Sequence, residues 1–166
     1  MGVELKRLRK ESLAAAVDKA AHYRDLNQPE EAESICRDVL DVDGGHQTAW
    51  RLLGLALTDR LAGGPVGILE EAIEAFEHLD DDYERVYHTG VAWERAAKAH
   101  LEHAEAHTAV TEFEIALEHF EKAGVLKPDS PDPILRWNRC VRLLNSHPSL
   151  REAMHAPRDR SVRLGD

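Results

Sequence analysis

Apolar residues recur three and four positions apart along nearly the whole chain. No segment alternates apolar and polar residues as a half-buried strand would, so the pattern predicts helices throughout. The first runs from about Val3 to Leu26, with Asn27 as a left-handed stop and Pro29 in the first turn of the next helix. The second carries Ala32, Cys36, Val39 and Leu40 on one face and ends at Asp43-Gly44-Gly45. A third opens near Gln47 and ends before Ala62-Gly63-Gly64-Pro65, the strongest break in the chain. The fourth places Leu69, Ala72, Ile73, Phe76 and Leu79 together and stops at Asp80-Asp81-Asp82. From there to Gly124 the only breaker is Gly90. That is too long for one ordinary globular helix, so it is split between Ala104 and Thr108. The last helix opens at Ser130-Pro131-Asp132, a cap followed by Pro in the first turn, and runs to about Asn145.

Within this pattern Trp50, Leu53, Gly54 and Leu57 form W-x2-L-G-x2-L, and Ala72-x3-Phe76 follows on the next helix. These residues resemble the tetratricopeptide repeat, a helix pair of about 34 residues. The small residue lets two helix backbones approach, and the large ones fill the seam. The resemblance covers roughly Leu13 to Asn145. It implies an all-α, right-handed superhelix of about seven helices, three pairs plus a capping helix. The solenoid would occupy residues 1–146, and residues 147–166 would be a polar, partly disordered tail.

In the first repeat Ala20 takes the small position, with Tyr23 on the same helix and Ala32 and Cys36 on the second. The third repeat has two registers. One sets Gly90 at the small position and needs a long insertion before Ala116. The other, preferred because it needs none, uses Trp93, Ala96, Ala97 and His100, then Ala109, Phe113, Ala116 and Leu117. It places about seven extra residues at the base of each helix, so the hairpin projects there by roughly 10 Å. The last helix would close the solenoid with Ile134, Trp137, Val141 and Leu144 inward.

Composition narrows the function. The chain has 166 residues and a formal net charge of -10, which argues against nucleic acid or an anionic membrane as partner. No apolar run approaches the roughly 18 residues of a membrane helix, and no secretory leader is recognisable, so the cytoplasm is the expected compartment. Cys36 and Cys140 read as small buried hydrophobes.

The repeat resemblance implies protein binding on the concave face. Its lining positions fall on Arg24 and Asp25, then Arg51, Leu55 and Asp59, then Glu94, Arg95 and Lys98, and finally Arg136, Arg139 and Arg142. Guanidinium groups hold carboxylates in pairs, so an acidic peptide or helix of another protein is the expected partner. Val17 and Ala21 stand where the carboxylate clamp of some family members needs Lys and Asn. His100, His103 and His107 could share one helix side, but no CxxC or HExxH accompanies them, and neither metal nor cofactor is expected. No phosphate-binding loop or nucleophile pair points to an enzyme. The expected role is a scaffold or adaptor. Self-assembly, or a chaperone dedicated to a secreted client, are the alternatives.

Overall fold

The computed structural model describes residues 2–157, and among them there is no strand. A single 3-10 turn, Lys10–Ser12, leads into eight helices. They are α1 (Leu13–Asp25), α2 (Pro29–Val42), α3 (Gln47–Thr58), α4 (Ile68–Glu77), α5 (Asp82–Glu102), α6 (Ala106–Leu126), α7 (Asp132–Ser146) and α8 (Pro148–His155). Each packs on its successor, and α1 on α3 and α3 on α5 as well. The odd-numbered helices α1, α3 and α5 therefore lie side by side, with α2, α4 and α6 behind them.

Local chemistry sets most boundaries. Asn27 takes the left-handed conformation (φ 58°) after α1, and the Gln28 amide turns back to the Tyr23 carbonyl. Asp81 caps α5 by accepting from the Glu84 amide at 2.8 Å. Ala104 takes φ 60° between α5 and α6, where the Glu105 amide reaches the His100 carbonyl. The helix expected from Val3 starts ten residues later. Val3 and Leu5 are exposed in a segment without helix, and only Leu8 reaches the first apolar cluster. Lys6, Arg7, Arg9 and Lys10 would crowd positive charge at a helix N-terminus, where the dipole opposes it.

Two apolar clusters form the core. One joins α1 to α4 through Val17, Ala20, Cys36, Leu53, Leu57 and Ala72; the other joins α5 to α8 through Val91, Phe113, Phe120, Cys140 and Leu150. Phe76, Leu79 and Ala92 bridge them. Gly54 sits directly on the Phe76 ring, and a Cβ there would overlap it. Trp50 stacks on His78 at 3.8 Å between ring centres and donates its indole N–H to the Gly44 carbonyl.

The same contact recurs in the long hairpin. A Cβ on Gly90 would lie 2.8 Å from the Phe120 ring. Gly90, not Ala97, is therefore the counterpart of Gly54, which corrects the preferred register. Gly54 is followed by four helical residues to Thr58, Gly90 by twelve to Glu102. The added length lies toward the hairpin turn, opposite to the end expected.

The inward row of α7 also differs. Pro133, Cys140 and Leu144 are buried, whereas Ile134 is exposed. Past residue 146 the chain forms α8, whose Leu150 is fully buried in the second cluster. The rest of the 147–166 segment, from residue 158, lies outside the described residues.

Candidate binding face

With Gly90 matched to Gly54, the residues four and five positions later become equivalent. These are Thr58 and Asp59 on and just after α3, and Glu94 and Arg95 on α5. Helical spacing puts them on one face, one turn beyond each tight crossing. There they meet residues of the neighbouring odd-numbered helices and form a polar ladder.

The ladder starts at α1. Arg24 Nε donates to Asp59 Oδ2 at 2.7 Å. From α5, Arg95 Nη1 donates to Thr58 Oγ1 at 2.8 Å and also to Asp59. Asp59 thus joins α1, α3 and α5. Burial and the nearby Arg24 and Arg136 hold the Arg95 pKa below its ordinary value, against the pull of Asp59. It remains a cation at neutral pH because a guanidinium starts so high.

Glu94 is the centre of the second half. It has no exposed surface, yet it carries a full charge. Lys98 Nζ donates to its Oε1 at 3.0 Å, Arg136 Nη1 to its Oε2 at 2.8 Å, and Arg139 Nη2 to its Oε1 at 2.8 Å. Burial alone would raise the Glu94 pKa; Lys98 and Arg136 outweigh it and hold the carboxyl below its usual range. Burial likewise works against the Arg136 cation, but Glu94 and the Tyr87 hydroxyl, 3.2 Å from Nε, raise its pKa overall. An unpaired buried carboxylate would cost several kcal/mol, so this network ties α7 to α5.

The structure thus brings Arg24, Asp59, Glu94, Arg95, Lys98, Arg136 and Arg139 of the expected groove into one connected face. Five cations meet two carboxylates, leaving positive charge on a chain of net charge -10. Arg139 keeps half of its side chain exposed. Other expected residues fall elsewhere. Leu55 is half-buried and packs into the seam beside Phe76. Arg51 is half-buried in a cleft of about 250 Å³ with Asp80, Asp81 and Glu84. Asp25 and Arg142 are exposed. Arg51 and Arg142 have no hydrogen bond or ion pair among the described residues.

Two clefts open on the ladder. One, of about 220 Å³, is lined by Asp59, Arg95, Lys98 and Glu102 among others; the second, of about 230 Å³, by Tyr87, Asp132, Leu135, Arg136 and Arg139. A carboxylate entering the second would meet the outer edges of two guanidinium groups, with Leu135 and Tyr87 beside them.

The histidine row does not assemble. His100 Nδ1 bonds Glu112 Oε2 at 2.7 Å, His103 caps the end of α5, and His107 lies across the turn on α6. Among the described residues no three ligating side chains gather around one point. Both cysteines are buried, and burial pushes their thiols up to about 12. No helix of the described residues is long and apolar enough to cross a membrane. No protein-family model matches this chain, and no curated protein matches it.

Sequence reasoning named Glu94 only as a groove position and missed its burial. The signal was present in its place four residues after Gly90, but it becomes readable only in the corrected register.

Proposed function

We propose that the chain is a tetratricopeptide-like helical scaffold, a right-handed stack of helix pairs that binds another protein and catalyses nothing. Its ligand is an acidic peptide or helix laid across α1, α3, α5 and α7. One observation carries this reading: a ladder from four helices holds more cations than carboxylates while the chain as a whole is acidic. Such a surface attracts and orients an anionic segment. The ladder's internal pairs set its cations in place before a ligand arrives, which lowers the ordering cost of binding. A cytoplasmic adaptor fits this chemistry; a client-specific chaperone would use the same face.

A short Glu-rich peptide and its Gln-rich counterpart test the proposal, with fluorescence anisotropy as readout. The Glu-rich peptide should bind more tightly, and added salt should erode the difference. The variant Arg139→Ala removes the half-exposed cation of the ladder while Lys98 and Arg136 keep Glu94 paired, so the fold stays intact and affinity for the acidic peptide should fall several-fold. Equal binding of both peptides, or an unaffected Arg139→Ala variant, would move the site off this face.

A further inference from the structure

The α6–α7 corner carries a second, chemically different surface. A cleft of about 360 Å³ is lined by Phe120, Glu121, Gly124, Val125, Pro133, Ile134 and Trp137. Leu126, next in sequence to Val125, is also exposed, and Val125 and Ile134 each leave more than half of their surface in water. An apolar concavity of this size, continuous with exposed aliphatic side chains, marks an interaction site. The one charged residue in its lining is acidic, Glu121, and the neighbouring sequence adds Glu118 and Asp129 against Lys122 and Lys127. Lys127 is drawn over the Tyr83 ring instead.

A complementary segment exists at the other end of the same chain. Val3 and Leu5 are 101% and 94% exposed in a stretch that is neither helix nor strand. Around them Lys6, Arg7, Arg9 and Lys10 outnumber Glu4. Docked in extended form, such a stretch would put Val3 and Leu5 on one side, two aliphatic side chains on a basic segment. The cleft offers the opposite: an apolar floor with an acidic side chain, Glu121, in its wall.

Reach decides which copy supplies the segment. Leu8 is anchored in the first cluster, and five extended residues cover at most about 18 Å. Between α1 and α7 stand α3 and α5, three helix spacings of about 8–10 Å each. The arm therefore falls short of its own cleft. We infer that the N-terminal arm of one copy docks its Val3 and Leu5 into the α6–α7 cleft of a second copy. The contact joins two different surfaces, so it adds copies head to tail instead of closing a symmetric pair. A single arm buries less than a standard interface, which puts the association in the weak, concentration-dependent class.

Sedimentation velocity on the full chain tests this, with two variants whose altered side chains are largely exposed. Val3→Glu with Leu5→Glu blocks the arm, and Ile134→Asp blocks the cleft. The unaltered chain should gain mass with concentration, each variant alone should stay monomeric, and an equimolar mixture of the two should stop at a dimer. Val3→Cys with Val125→Cys adds a covalent readout, since Cys36 and Cys140 are buried. Oxidation should give a ladder of linked oligomers. The inference fails if the full chain is monomeric at every concentration, which would leave the cleft to a different protein. It fails equally if the arm variant associates as the parent does, or if the cysteine pair links only within one chain.

Discussion

The α3–α4 and α5–α6 hairpins share a crossing and diverge beyond it. Gly54 rests on Phe76 and Gly90 on Phe120. Four residues on, each helix buries a polar group: Thr58 in α3, Glu94 in α5. α3 then ends, whereas α5 runs on to Glu102. The crossing behaves as a fixed joint that sets how the next hairpin docks, and helix length is added on the side where it disturbs no joint. The buried polar group is tuned separately. Thr58 needs one partner from the next helix, Arg95; Glu94 needs three cations, and two of them come from α7.

The sharpest way to break this equivalence is to fill the crossings. Gly54→Leu should destabilise by more than the roughly 1–3 kcal/mol of ordinary overpacking, because the buried Phe76 ring cannot retreat. Gly90→Leu should be almost as severe. Urea unfolding followed by circular dichroism measures both, and a harmless Gly90→Leu would show that the two crossings are not alike. Next in size is Glu94→Gln, which strands Arg136, Arg139 and Lys98. Breaking a buried charge network costs about 3–5 kcal/mol, and the partly solvated Arg139 and Lys98 put this case near the lower figure. Thr58→Val, its counterpart on α3, should cost about 1 kcal/mol, the scale of one neutral hydrogen bond.

A smaller effect separates the two buried glutamates of the long hairpin by pH. The Glu94 pKa is lowered in the fold, so its stabilisation is complete above the ordinary carboxylate range and disappears as pH falls through the lowered value. Burial raises the Glu112 pKa, with His100 opposing; its contribution is complete below the ordinary range and is lost as pH rises through the raised value. Unfolding midpoints from pH 3 to 7 should therefore lose part of their acid limb in Glu94→Gln. In Glu112→Gln they should change in the opposite direction at pH 7, and only slightly.

The contrast also explains what the sequence disclosed. At Gly54 the large residues stand where the repeat pattern wants them. At Gly90 the matching positions are Val86 and Thr89, and Trp93 corresponds to Leu57, not to Trp50. Ala109-x3-Phe113 and Ala116-x3-Phe120 repeat the same face seven residues apart, nearly two whole turns, so periodicity accepts either. Only the ring against the glycine decides. The charged face was legible as positions, because side chains at fixed steps along parallel helices must converge. Its internal neutralisation was not, since a Glu beside an Arg reads equally well as two solvated charges until burial is known.

The continuation of α5 and α6 past their crossing has a dynamic consequence. Beyond Arg95 the tip is held by its own hairpin, by the His100–Glu112 bond and by the apolar cluster that Leu101, Ala109 and Val110 share with Leu144 and Leu150, with Ala104 at positive φ at its apex. Its last turns can open as a local unit without parting Gly90 from Phe120, so the free energy of opening should climb in steps from apex to crossing. Amides near Leu101 would exchange with solvent through fraying of the tip, while those around Val91 wait for the stack itself to come apart. One continuous helix thereby spans two regimes of protection.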